Sequence, residues 1–222
     1  MSDAPLAAVP LFPLPNVVLF PRAVLPLHLF EERYRAMTAD IIAGEGLLAM
    51  ALLQPGWEQE YHGRPAIEPT VCVGQVLSWE QLPDGKYNLL LQGKTRARIL
   101  REHADTGLAY RVAELSPVPE TAVMEIDLAD QRRKLSESFS SPRVAVLPVV
   151  KQFQHLLSGP MPTADIADLA AFNFLEDLQL KQNLLAEGDV RRRVQIVTDK
   201  LAWWSQHFNP GVYGFPEDPG MN

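Results

Sequence analysis

The chain contains a single cysteine, Cys72, among its 222 residues. One cysteine excludes an intrachain disulfide and any zinc site that is built on several thiolates. The five histidines are scattered, with no two at the i, i+4 spacing that places two imidazoles on one face of a helix. The sequence therefore predicts no metal and no cofactor.

Long apolar runs are also absent. No stretch approaches the roughly 18 apolar residues that a membrane-spanning helix needs. The first twelve residues, MSDAPLAAVPLF, carry an acidic residue and two prolines, whereas a signal peptide has basic residues and an uninterrupted apolar segment. We therefore expect no membrane association and a cytoplasmic protein.

Basic residues are fewer than acidic residues. The chain has 20 Lys and Arg against 27 Asp and Glu, which gives a formal net charge of −7. Proteins that bind nucleic acid usually present a basic field to the phosphates. The negative net charge argues against a nucleic-acid partner, although a local basic patch on the folded protein would make nucleic-acid binding possible again.

Proline, by contrast, is concentrated near the start of the chain. Pro13, Pro15, Pro21 and Pro26 divide an apolar run that extends from Leu11 to Met37. Proline has no backbone N–H and a fixed φ, so it is tolerated mainly at sheet edges, strand starts and bulges. The run predicts short, bent edge strands followed by a helix over residues 31–43.

The remaining pattern divides the chain into a strand-rich part and a helical part. Residues 1–118 predict six or seven short strands with one early helix, which favours a small closed or half-closed barrel. Residues 119–208 show helical periodicity, most clearly in the last helix, and residues 209–222 form a tail rich in glycine and proline. The predicted fold class is α+β, with the β-barrel subdomain first and a helical bundle after it.

Three blocks of the sequence resemble the Lon protease N-terminal domain. The first is the proline-punctuated opening, the second is GQVLSWEQLPDGKYNLLLQGKTRARI at 74–99, and the third is the helical segment at 162–201. They occur in the same order as in that family, so the chain is identified as a member of the Lon N-terminal (substrate-binding) domain family.

The resemblance implies a PUA-like β pseudo-barrel followed by a helical bundle. It also implies a stand-alone Lon-domain protein, because 222 residues leave no room for the ATPase and protease domains of full-length Lon. The function implied is that of a non-catalytic binding module, not an enzyme, which contacts unfolded polypeptide or a partner protein. A homo-oligomer is left open. The alternatives are an RNA or modified-base reader that uses the PUA-like barrel, and an uncharacterised hydrolase.

Several motifs that suggest chemistry have simpler interpretations. Gly93-Lys94-Thr95 resembles the end of a phosphate-binding loop, but position 88 is Asn88 where that loop needs glycine, so a hairpin turn is favoured. Cys72 lies in a probable strand and is expected to be a buried thiol. The run from Arg191 to Arg193 is expected to lie on a solvated helix face.

Aromatic residues supply the candidate binding residues. Trp57, Tyr61 and His62 lie in the predicted loop 54–68, and Trp79 lies at the end of a predicted strand. Aromatic side chains on loops are common recognition residues because they offer a large contact area at low entropic cost. The alternative is that they pack the loop onto the barrel.

Overall fold

A computed structural model of the protein describes residues 5–60, 63–104 and 106–208. Within them are six strands, namely β1 (Leu6–Leu14), β2 (Val24–Leu29), β3 (Leu47–Leu52), β4 (Thr70–Gln81), β5 (Tyr87–Glu102) and β6 (Arg111–Pro117). The helices are α1 (Glu32–Ala43), α2 (Ala129–Ser140), α3 (Pro148–Ser158), α4 (Thr163–Phe174), α5 (Leu178–Ala186) and α6 (Val190–His207). The α+β fold class and the order of strands before helices are confirmed. The predicted tail at 209–222 lies outside the described residues.

The strands form one sheet that closes on itself. Its order is β2-β5-β4-β3-β1-β6, and β5 pairs with β6 as well as with β4 and β2. The sixteen residues of β5 make this possible, because its first part pairs with β2 and its last part with β6. Five strands therefore close into a barrel, and β2 extends the sheet beyond the ring.

The inside of the barrel is filled by small and branched apolar side chains. These are Val9, Leu11, Ala49, Ala51, Val71, Val73, Ala97, Ala113 and Leu115, all buried. Alanines alternate with larger residues, so that facing strands approach closely without leaving a void. Removing this apolar surface from water is the main stabilising contribution to the barrel.

β1 is not the edge strand that its prolines predict. It pairs in parallel with β3 and antiparallel with β6, and the register shifts between Leu6 and Val9. Ala8 has a φ of 56° at this irregularity. Each proline removes one backbone donor only, and closure of the ring leaves β1 without a free edge. The prediction is correct for β2, which pairs with β5 alone.

The predicted hairpin turn at Gly93 is also wrong. Gly93 lies inside β5, where its N–H donates to the carbonyl of Ala23 at 2.9 Å and its own carbonyl accepts from the N–H of Arg22 at 2.9 Å. A Cβ at this position would lie 2.1 Å from the carbonyl oxygen of Phe20. The glycine is needed for the close approach of the 20–23 segment, not for a turn.

Gly93→Ala is therefore expected to destabilise the protein by about 1–3 kcal/mol, because backbone must move to admit the new methyl group. Urea unfolding followed by circular dichroism measures the change. Gly159→Ala is the control, since the nearest atoms to a Cβ there lie at 3.5 Å. Equal stability of the two variants would contradict the close approach.

Two compact units are distinguished by their internal contacts. One contains Met1–Ala122 and Asp168–Val190, and the other contains Val123–Ala167 and Arg191–Asn222. In the first unit, α5 packs against β4, and the Gln182 side chain donates to the carbonyl of Thr70 at 2.8 Å. The division of the sequence at 118/119 into consecutive domains stays a prediction.

A buried ion pair joins the helical segment of the first unit to its barrel. Arg96 on β5 donates from Nη2 to Oδ1 of Asp168 at 2.6 Å, and both side chains are almost fully buried. Nη1 of Arg96 contacts Oε1 of the half-exposed Glu120 at 3.1 Å. Burial lowers the pKa of Arg96, but attraction to Asp168 and the hydrogen bond to it more than offset burial, so the pKa is raised. Arg96 is therefore charged in the folded protein.

Asp168→Asn is expected to lower the free energy of unfolding by about 3–5 kcal/mol, because it leaves a buried guanidinium without its main counter-charge. Urea unfolding measures the loss. Glu120→Gln is the matched control on the same guanidinium, and its cost should stay below about 1 kcal/mol because Glu120 is half-exposed. A similar small cost for both variants would contradict the role of the pair.

The second unit is organised around arginine and aromatic contacts. Arg132 on α2 donates to the carbonyls of Leu157 at 2.7 Å and Gly159 at 2.8 Å, which satisfies the carboxyl end of α3. The rings of Phe139 and Phe153 pack with their centroids 5.1 Å apart. The prediction that residues 191–193 lie on a solvated face is wrong for Arg193, which is 1% exposed. Consecutive helical residues point in different directions, so a basic run crosses from the surface to the interior.

Candidate functional site

A cavity of about 840 Å³ lies at one end of the barrel in the first unit. Because β1 and β3 are parallel and β6 is antiparallel to β1, the ends of β1 and β3 meet the start of β6 there. The loop after β3, the loop before β6 and the first turn of α1 complete the wall. Its described lining comprises Leu11, Pro13, Leu14, Pro15, Glu31, Arg33, Tyr34, Leu53, Trp57, Glu58, Gly63, Arg64, Pro65, Thr106, Gly107, Leu108, Ala109, Tyr110 and Arg111.

Apolar and aromatic side chains form much of this wall. Tyr34 is buried and packs edge-on against Phe12, with ring centroids 4.5 Å apart. Trp57 is half-buried in a short 3-10 helix at Trp57–Glu60, while Leu108 is 45% exposed. Concave apolar surfaces with a few polar groups are typical of ligand-binding sites.

The arginines on the wall are held by carboxylates or carbonyls. Arg111 donates to both carboxylate oxygens of Glu102, at 2.6 and 2.8 Å, and to the carbonyl of Pro65 at 2.7 Å. Arg33 is paired with Glu31 at 2.9 Å, and its guanidinium lies 4.6 Å from the centre of the Tyr34 ring. These pairs neutralise the charge of Arg33 and Arg111 locally, whereas Arg64 is half-exposed and lies 3.7 Å from Glu102.

Glu58 differs from these residues. It is exposed and makes no ion pair or hydrogen bond within the described part of the chain. An exposed carboxylate of this kind can pair with a basic group on a bound chain at little desolvation cost.

Tyr110 fixes one side of the cavity. Its hydroxyl donates to Oδ2 of Asp40 on α1 at 2.7 Å. Burial and this hydrogen bond raise the pKa of Tyr110 to about 12. The phenol therefore remains a neutral donor throughout the physiological pH range. Its hydrogen bond to Asp40 connects the residue before β6 to α1.

The predicted site residues do not form one cluster. Trp57 lines the cavity, whereas Trp79 lies on β4, is 51% exposed and borders a separate depression of about 370 Å³. Tyr61 and His62 lie outside the described residues. The role of all four in binding stays a prediction.

Most of the cavity wall cannot be recognised from the sequence. Tyr34 comes from α1, whereas Tyr110 and Arg111 lie immediately before and at the start of β6, and the pairing of β1 with β3 and β6 brings these two distant parts of the chain together. The proline-rich end of β1 is the one local signal that could have marked the cavity, because prolines commonly end strands.

The described residues offer no metal centre and no membrane span. Within residues 5–60, 63–104 and 106–208, no three potential ligands among His, Cys, Asp and Glu come together around one point. In the same ranges, no helix has both the length and the apolar composition needed to cross a bilayer.

Cys72 is a fully buried thiol on β4, as expected. Burial raises its pKa to about 12, although the attraction of Arg96 acts in the opposite direction. Since the thiolate is the reactive form, Cys72 should be unreactive in the folded protein.

We expect a disulfide reagent such as dithionitrobenzoate, applied at about pH 8, to label Cys72 only as fast as the protein unfolds. The protein in urea is the control and should react at once. Rapid labelling without urea would contradict the burial of the thiol.

Comparison with known proteins identifies the family. The family model of the ATP-dependent protease La (LON) substrate-binding domain matches residues 8–202. The chain belongs to this family.

Curated relatives are Lon proteases. The chain is 23% identical over 201 residues to the Lon protease of Desulfosudis oleivorans, which covers 87% of this chain and 23% of that protein. It is 25% identical to the Lon protease of Dictyoglomus thermophilum, with 86% of this chain and 24% of that protein covered. The chain thus spans about a quarter of the length of these relatives.

Two solved structures share the fold. The N-terminal domain of the Mycobacterium avium complex Lon protease has a TM-score of 0.65 at 18% identity, covering 90% of this chain and all of that one. The Lon N-terminal domain protein from Xanthomonas campestris has a TM-score of 0.59 at 22% identity, covering 89% of this chain and 99% of that one. At these identities the likeness concerns the fold alone.

Proposed function

We propose that the protein is a non-catalytic module that binds polypeptide, either unfolded segments or a partner protein, through the cavity at the end of its barrel. Membership of the substrate-binding domain family carries the proposal. The cavity adds a surface of suitable chemistry, since it combines apolar walls with paired charges and one exposed carboxylate.

The shape and composition of the cavity suit side chains of a flexible chain. Trp57, Tyr34 and Leu108 offer apolar contacts whose strength depends on buried area more than on the identity of the bound residue. Glu58 favours a segment with a basic residue nearby. This combination supports broad binding rather than recognition of one defined small molecule.

The alternatives have less support in this cavity. A reader of RNA or modified bases needs cations free to contact phosphates, whereas Arg33 and Arg111 are already paired with carboxylates. A hydrolase needs a nucleophile beside a base, and the described lining contains no serine, cysteine, histidine or lysine. No observation on the cavity favours either alternative.

The direct test is binding of a permanently unfolded protein, such as reduced and carbamidomethylated α-lactalbumin carrying a fluorescent label. Fluorescence anisotropy should show saturable binding to the wild-type chain. Trp57→Ala should weaken it about tenfold, because a central aromatic side chain commonly contributes 1–2 kcal/mol or more to an interface.

Trp203→Ala is the matched control, since Trp203 is a 62% exposed tryptophan on α6 in the other unit. It should bind like the wild type. Absence of saturable binding by the wild-type chain would refute the proposed function. Equal weakening by both tryptophan variants would remove the cavity as the binding site.

A further inference from the structure

Part of the sheet extends beyond the closed barrel and has two free edges. The pairing of β4 with β3 ends at Gln75, and the N–H of Val76 donates to the carbonyl of Gly46 at 2.9 Å. Leu77 is skipped in the pairing with β5, and from Ser78 to Gln81 β4 pairs with β5 and with no other described strand. On the other side of β5, β2 has no further neighbour among the described strands. One free edge is thus β2, and the other is the segment Leu77–Gln81.

The β2 edge is blocked by its sequence. The N–H of Gly93 donates to the carbonyl of Ala23, so the backbone of residue 23 points toward β5. In an antiparallel pair, alternate residues point toward and away from the partner strand, so the backbone groups of residues 24, 26 and 28 point away from β5. Position 26 is a proline and has no N–H to donate. Proline on an exposed edge is a common device that prevents another strand from pairing there.

The β4 edge contains no proline between Leu77 and Gln81. The N–H of Leu82 donates to the carbonyl of Lys86 at 2.8 Å and closes the β4–β5 hairpin. By the same alternation, Glu80 and Ser78 direct their backbone groups toward β5, and Trp79 and Gln81 direct theirs outward. Within the described residues, these outward groups have no hydrogen-bond partner.

The side chains along this edge are also unusual for an exposed strand. Leu77 and Trp79 are each 51% exposed. Leu77 is the extra residue where the register shifts between Val76 and Ser78. A free edge with exposed apolar side chains and no proline is a template for another strand. A depression of about 370 Å³ lies on the face of this part of the sheet, bordered by residues of β2, β5 and β4 that include Ser78 and Trp79, and a long side chain of the added strand can extend toward it.

We propose that the segment Leu77–Gln81 binds an extended segment of another polypeptide, which adds to the sheet as a further strand. This inference rests on the proposed function and specifies a second contact surface for it. Strand addition draws its affinity from main-chain hydrogen bonds, which every extended chain can form whatever its sequence. It therefore suits the binding of unfolded segments.

Charge favours a different polypeptide over a second copy of this chain. Each copy carries a formal net charge of −7, and Glu80 is exposed on the edge itself. Two like-charged copies repel, whereas a neutral or basic extended segment does not. The bound segment is thus expected to be apolar with neutral or basic flanks.

Gln81→Pro tests the edge, because it removes an outward N–H and places a ring on the strand's free side while the β4–β5 ladder keeps its bonds. Gln81→Ala is the matched control, since it removes the same side chain but keeps the N–H. With labelled, carbamidomethylated α-lactalbumin as the probe, the proline variant should bind at least about fivefold more weakly than the alanine variant. Equal affinity of the two variants would overturn the proposal.

A second measurement leaves the protein unchanged and covers the case in which the proline variant is unstable. Peptides from α-lactalbumin that bind the wild-type chain are methylated at one backbone nitrogen at a time. Because alternate amides of an added strand face the edge, affinity should fall at every second position. Uniform affinity across the positions would overturn strand addition.

Self-association is the remaining outcome. Light scattering on the eluting protein should show the same mass for wild type and Gln81→Pro. A wild-type dimer that Gln81→Pro converts to a monomer, with unchanged binding of α-lactalbumin, would assign the edge to a second copy and overturn the proposal. Failure of the wild-type chain to bind α-lactalbumin at all would instead refute the proposed function.

Discussion

The contact between Arg96 and Asp168 is the interaction on which the first unit depends. It joins residues 72 positions apart, and both charged groups are removed from water. A buried ion pair adds little net stability compared with an apolar pair, but either charge alone would be costly in the interior. The pair therefore specifies one position for the helical segment on the barrel. Further contacts act in the same region, such as the hydrogen bond from the N–H of Thr121 to the carbonyl of Gly188 at 3.0 Å.

In the proposed function, the barrel has two kinds of surface for another chain. The cavity at its end offers apolar walls to side chains, and the edge Leu77–Gln81 offers backbone donors and acceptors. Neither surface demands a particular sequence, because apolar burial depends on area and strand pairing uses groups that all residues share. Arg33 and Arg111 of the cavity are paired with carboxylates, so the proposed binding gains its charge preference from Glu58. Low sequence specificity of this kind is what the proposed binding of unfolded polypeptide requires.

The sequence predicts the elements of this fold better than their arrangement. The helix expected at 31–43 is α1, and the register of β4 on β5 shifts at Gly74, where a glycine inside a strand commonly marks a bulge. These features depend on local periodicity and on glycine, which are visible in short stretches. The turn predicted at Gly93 is wrong because the sequence does not distinguish a glycine that forms a turn from a glycine that admits a close backbone carbonyl, here that of Phe20. Arg193 and the pair of Arg96 with Asp168 could not be predicted, because a buried charge is recognisable only with its partner. The cavity was missed for a similar reason, since its wall depends on the closure of the ring.

Binding of polypeptide at the cavity and at the β4 edge can be measured by hydrogen–deuterium exchange of the whole chain, with and without an excess of unfolded α-lactalbumin. We expect slower exchange at the amides of Trp79 and Gln81, and in the loop before β6, when the unfolded protein is present. Unchanged exchange at these amides, with protection confined to α2 and α3, would contradict the proposed binding.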